Sequence, residues 1–82
     1  MTEEILEPVD VAAVFGNNQI RPRWFVWKNR RYPVEKITYT WREKEGEEVI
    51  CYFSVTSSAT LYYLAYHTKK LKWVLDRIFL DG

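Results

Sequence analysis

The chain has 82 residues, with 12 Lys and Arg against 11 Asp and Glu and one His, a formal net charge of +1 at pH 7. That length allows one small domain of marginal stability, and the near-neutral balance excludes a uniformly basic nucleic-acid binder. Cys51 is the only cysteine, which excludes an internal disulfide; nothing suggests a four-ligand zinc site made by this chain alone, and a reducing compartment is expected.

From Met1 to Gln19 there are four acids, Glu3, Glu4, Glu7 and Asp10, and no base. The opening lacks the basic start and apolar run of a signal peptide, and no stretch reaches the roughly 18 apolar residues of a membrane span. A cytoplasmic protein without membrane contact is therefore expected. The first few residues read as a disordered tail, and a strand follows over 6–15 up to the turn signal Gly16-Asn17-Asn18-Gln19.

The next stretch, Ile20 to Lys36, sets six bases (Arg21, Arg23, Lys28, Arg30, Arg31, Lys36) against Glu35, a local charge of +5. Strands are expected over 22–28 and 31–43. With Asn29-Arg30 as a two-residue turn, Trp27 faces Tyr32 and Phe25 faces Val34, an aromatic core cluster on one face. Strict alternation puts Ile37, Tyr39 and Trp41 on the opposite face from Tyr32 and Val34. A one-residue slip reconciles them, so a β-bulge is expected near Glu35-Lys36, where Pro33 also interrupts the donor pattern.

After the turn signal Glu45-Gly46-Glu47 comes a strand over 48–56. Its core face is Val49, Cys51, Phe53 and Val55; Ile50, Tyr52, Ser54 and Thr56 form the other. The turn signal Thr56-Ser57-Ser58-Ala59 introduces two further strands, over 60–67 and 72–80, separated by His67-Thr68-Lys69-Lys70. In the last strand each face carries apolar residues and one charge, Arg77 or Asp76, which suggests a sheet that curls or is covered by another surface. Leu61, Leu64, Ala65, Leu71, Leu75, Ile78 and Phe79 also fit a helical stripe. The fold class is thus all-β, a single domain over 1–82 built as an antiparallel meander of five or six strands, strongly twisted or partly rolled into a barrel. The alternative is α+β, with a C-terminal helix over 61–79.

The run Pro22-Arg23-Trp24-Phe25-Val26-Trp27-Lys28-Asn29-Arg30-Arg31-Tyr32-Pro33-Val34, continuing to Ile37 and Trp41, resembles a family of small uncharacterised bacterial proteins. The segment Lys72-Trp73-Val74-Leu75-Asp76-Arg77-Ile78 is similar to that family's closing strand. The resemblance spans about residues 8 to 80 and implies a domain of unknown function, some of whose members are encoded near Y-family translesion polymerase genes. The family's frequent turn glycine is replaced here by Asn29, which tolerates the left-handed conformation. The resemblance implies no functional residues.

Few residues suggest chemistry. Cys51 and His67 fall on neighbouring strands, but a nucleophilic pair needs hydrogen-bond contact and an oxyanion site. Cys51 among Val49, Phe53 and Val55 reads as a small buried thiol, and His67 beside a turn as a solvated residue. Glu43, Glu45, Glu47 and Glu48, interleaved with Arg42 and Lys44, read as an exposed charged loop. With no HExxH, P-loop, GxGxxG or GxSxG pattern, no enzyme is expected, and no catalytic, cofactor or metal residue is assigned.

Two binding functions remain. The first is protein interaction or self-association, as a homodimer or with a protein partner, through a two-faced aromatic sheet; the acidic N-terminal segment opposite a basic hairpin would set its orientation. The alternative is single-stranded nucleic acid, held by the hairpin at residues 21–36 and linked to DNA-damage tolerance. Its surface would be Arg21, Arg23, Trp24, Lys28, Arg30, Arg31 and Lys36, with Trp24 as the main stacking ring and Tyr62 or Tyr66 assisting. If instead those bases only solvate a hairpin's outer face, the cluster carries no function.

Overall fold

The computed structural model describes residues 1–80 and is built from strands throughout. In chain order these are β1 (Thr2–Gly16), β2 (Gln19–Trp27), β3 (Arg30–Pro33), β4 (Lys36–Glu45), β5 (Glu48–Ser57), β6 (Thr60–His67) and β7 (Lys72–Phe79). They form one antiparallel sheet in the order β3-β2-β1-β7-β6-β5-β4, curled into a half-barrel. The all-β expectation holds, with seven strands in place of five or six. The extra one arises because the strand expected over 31–43 breaks at Val34-Glu35 into β3 and β4, which lie at opposite edges of the sheet.

Two-residue turns set most of the connections. Asn17-Asn18, Lys28-Asn29 and Ser58-Ala59 all have positive φ, between 49° and 64°. This backbone matches the twist of the flanking strands, although only Asn adopts it readily. The β2–β3 turn is therefore Lys28-Asn29, one residue earlier than expected. Phe25 pairs with Tyr32, and Trp27 with Arg30. The register moves by two residues, so every side chain keeps its face. Phe25 stacks on Tyr32 at 5.0 Å between ring centroids, 8° from parallel.

Residues 61–79 are two strands and a turn, which removes the helical alternative. At the β6–β7 ladder the register slips after Tyr63–Arg77, with Leu64 opposite Leu75. The core side therefore changes from Trp73 and Leu75 to Ile78, three residues on, and that spacing imitates a helix. The opening residues, expected to be a loose tail, pair along β7 from Thr2 opposite Phe79.

The core lies inside the curl. It gathers Val9, Phe25, Cys51, Phe53, Val55, Tyr62, Leu64, Tyr66, Trp73, Leu75 and Ile78. Cys51, Phe53 and Val55 are where alternation placed them. Tyr39 and Trp41 are not: a bulge between Ile37 and Tyr39 leaves Ile37 against the core and turns the next two rings to the outer face, opposite Ser54 and Tyr52.

Candidate functional site

The sheet's two ends meet at one place. The Val34 amide donates to the Arg23 carbonyl at 2.8 Å, and the Glu35 amide donates to the Thr56 carbonyl at 2.9 Å. Successive amides of an extended chain point to opposite sides, so this dipeptide bonds to both ends of the sheet at once. Beyond it the edges part. β3 covers β2 from Trp24 to Trp27 and Val34 adds the bond to Arg23, leaving Gln19–Pro22 without a ladder on that side, and β4 is the outermost strand past β5.

Between these two edges lies a cleft of about 490 Å³, lined by Asn18, Gln19, Ile20 and Arg21 on one wall and Ile37, Thr40, Trp41 and Arg42 on the other. Cys51, Tyr52 and Phe53 line it from β5. Its floor is apolar, since Cys51 and Phe53 are core residues and Ile20 and Ile37 pack against the core. Phe15, 57% exposed, stands edge-on to Tyr66 at 5.6 Å near the β1–β2 turn, and it lines a shallower recess with Gln19, Ile20 and Arg42.

The basic hairpin does not form one patch. Arg21 lies on the open stretch of β2 and Arg23 at its end, where its carbonyl accepts the Val34 amide. Lys28 sits over the Trp27 ring at 4.8 Å and Arg30 near Tyr32 at 5.9 Å, both at the β2–β3 turn. Lys36 opens β4, opposite Thr56 at the other end of the sheet. Trp24 and Arg31 are brought together: the guanidinium lies 4.0 Å over the indole and covers one of its faces. Tyr62 and Tyr66, expected as accessory stacking rings, are instead buried in the core, and burial pushes the Tyr62 hydroxyl pKa up. Among the described residues none of the seven enters a salt bridge.

A row of rings that sequence reasoning did not single out crosses the outer face. Tyr39 stacks with Trp41 at 5.6 Å, Trp41 with Tyr52 at 5.1 Å and 7°, and Tyr63 meets Trp41 edge-on at 6.2 Å. The Trp41 indole N–H donates to the Glu43 carboxylate at 3.0 Å, and burial, with Glu43 adding charge, raises the Tyr52 hydroxyl pKa. The available signal was Tyr52, which alternation already set apart from the core face of its strand. Most ring faces in the row are engaged with one another, and Tyr39 is the exposed end.

The fold does not bring Cys51 and His67 together. Cys51 pairs with Tyr66 and points inward, whereas His67 pairs with Ile50 on the outer face. His67 is half-buried, where a solvated residue was expected, and its Nδ1 lies 3.0 Å from Glu48 Oε1. Glu48 leaves the acidic loop it was grouped with: its Oε2 accepts the Lys69 and Lys70 amides at 3.2 and 3.0 Å and fixes the turn before β7. The His67 hydrogen bond, helped by the Lys70 amide, holds the Glu48 carboxyl pKa below its ordinary value against the opposing effect of burial. Among the described residues no three His, Cys, Asp or Glu side chains converge as metal ligands do, and no helix is long and apolar enough to cross a membrane.

No family model matches the chain, and neither a curated protein nor a solved structure matches it.

Proposed function

We propose that this chain is a non-enzymatic protein-interaction module that takes an extended segment of a partner protein into the seam between β2 and β4. The observation that carries this reading is the pair of unpaired strand edges facing each other across an apolar-floored cleft. Exposed edges offer backbone donors and acceptors to an incoming strand, and the floor offers pockets for its alternate side chains. Pro22 removes one donor from β2, and the bulge after Ile37 distorts β4, so the edges are poor templates for indiscriminate pairing. The opposed facing of Cys51 and His67 supports a non-catalytic role, and the single free thiol suits the cytoplasm.

Nucleic acid is the competing occupant. Its arginines are present, but Trp24 keeps one ring face under Arg31 and the two assisting tyrosines are core residues. The test is selection of a random phage-displayed peptide library on the folded protein, followed by amide hydrogen exchange. Enriched peptides should slow exchange at Gln19–Arg21 and across β4. Protection elsewhere, or no enrichment, overturns the reading. Binding of single-stranded oligonucleotides that falls steeply with salt and needs Arg23 and Arg31 would favour the competitor. A mass that doubles with concentration, with the same amides protected, would make the occupant a second copy.

A further inference from the structure

The seam has a chemical bias that specifies its occupant. On β2 the open stretch and its end carry Arg21 and Arg23 and no acid; across the cleft stands Arg42. Arg21 has only a long contact to Gln19 Oε1, at 3.5 Å, and none of the three arginines is in a salt bridge among the described residues. The acids nearby are partly committed: Glu43 accepts the Trp41 indole N–H, and Glu35 accepts the Ser58 amide at 3.2 Å. Glu45 lies farther along, at the β4–β5 turn.

Alternation then separates two kinds of contact. An extended chain lying between the edges points every second side chain at the apolar floor, Ile20, Ile37 and Phe53, and the intervening ones outward past Arg21 and the exposed Arg23 of β2; Arg42, opposite Cys51, stands on the floor side. We infer that the seam recognises a short acidic β-strand of a partner protein, with apolar residues on one face and carboxylates on the other. This rests on the strand-addition reading above and adds the partner's chemistry to it. The open stretch of β2, Gln19–Pro22, limits the ordered part of the partner to about four or five residues. β2 and β4 run in opposite directions, with four strands (β1, β7, β6 and β5) lying between them in the antiparallel sheet order, so the added strand is antiparallel to one edge and parallel to the other.

The test uses three acetylated and amidated hexapeptides in which Val and Ile alternate with Glu, Gln or Lys, titrated into the full chain by fluorescence anisotropy at low salt. Two rim pairs of ordinary exposed strength predict that the Glu peptide binds roughly tenfold more tightly than the Gln peptide, with the Lys peptide weakest. The double variant Arg21→Glu with Arg23→Glu should invert that order while its circular dichroism stays that of the parent. Equal binding of all three, or a preference for Lys, overturns the acidic assignment while leaving strand addition in place. If no peptide binds and exchange at Gln19–Arg21 stays unchanged, both fall. Displacement of the Glu peptide by a thymidine oligonucleotide that requires the same two arginines assigns them to phosphate and overturns the proposal.

Discussion

Replacing Phe25 by Ala tests whether the β2–β3 hairpin is the clamp that holds the curl. The ring is fully buried, stacked on Tyr32 and edge-on to Tyr62 at 5.2 Å, so it joins the hairpin to β6 across the core. Truncating a core Phe costs about 3–5 kcal/mol through lost transfer energy and the cavity left behind. Each aromatic pair adds about 0.5–1.5 kcal/mol, part of it already inside that range, so a loss of about 4 kcal/mol is expected. At about 0.05–0.15 kcal/mol per residue, the whole domain has only about 4–12 kcal/mol. The variant should therefore sit near the limit of folding. Phe25→Leu, which keeps most of the volume, should lose under about 1.5 kcal/mol. Urea unfolding followed by tryptophan fluorescence reads both: with a slope of about 1–3 kcal/mol per molar, the Ala midpoint should fall by roughly 2 M or more at unchanged slope. A loss below about 1.5 kcal/mol for Ala, or equal losses for Ala and Leu, would show that the hairpin is dispensable and refute the clamp.

Three smaller predictions follow from the turns and the thiol. Ala59 is held at φ 64°, a conformation that disfavours any side chain, so Ala59→Gly should stabilise by about 1 kcal/mol in the same urea assay; destabilisation would show that the turn is not strained there. Glu48→Gln should weaken the fold at neutral pH. Because the folded carboxyl is held below its ordinary pKa, its contribution is complete above the ordinary carboxylate range and is withdrawn as pH falls through the lower folded value. Melting curves of the two proteins should converge in acid, and a constant gap down to strongly acid pH would contradict this. Cys51 is 6% exposed, so a thiol reagent should label it only slowly in the native state and quickly in urea; rapid native labelling would mean that the cleft floor opens to solvent.

The strand content was readable because β-branched and aromatic runs between turn signals follow from backbone sterics alone. Cys51, Phe53 and Val55 show it best, in a strand whose ladder with β6 runs without a shift from Ile50 to Ser57; Val49, expected on the same face, is half-buried and lies outside the core. What could not be read locally was each change of parity. The bulge after Ile37, the one at Arg23 between Pro22 and Trp24, and the slip at Asp76 all exchange inner and outer faces. Pro33 and the parity conflict between Tyr32 and Ile37 pointed to an irregularity near Glu35-Lys36, where the strand does break, but the residues themselves did not place the change of parity at Thr38. Hence Tyr39 and Trp41 were assigned to the wrong face, and Leu75 with Ile78 looked helical. The site divided in the same way. Arg21 and Arg23 stand out as charges in the sequence, whereas Arg42 passed as loop decoration, because its nearness to them depends on the sheet closing on itself.

That closure also explains why there is a seam. The stretch from Arg30 to Glu45 is nearly one strand, and its first part pairs with β2 while its second pairs with β5. At Val34-Glu35 it changes allegiance, with Pro33 just before the crossing supplying no amide of its own. A single chain cannot lie against both ends of the sheet along their full length. Wherever it leaves β2 for β5, the rest of β2 must stay unpaired, and its own far edge must stay open. The gap between Gln19–Pro22 and β4 is therefore a geometric consequence of closing this sheet with one bent strand, and it is this gap that the proposed strand addition would fill.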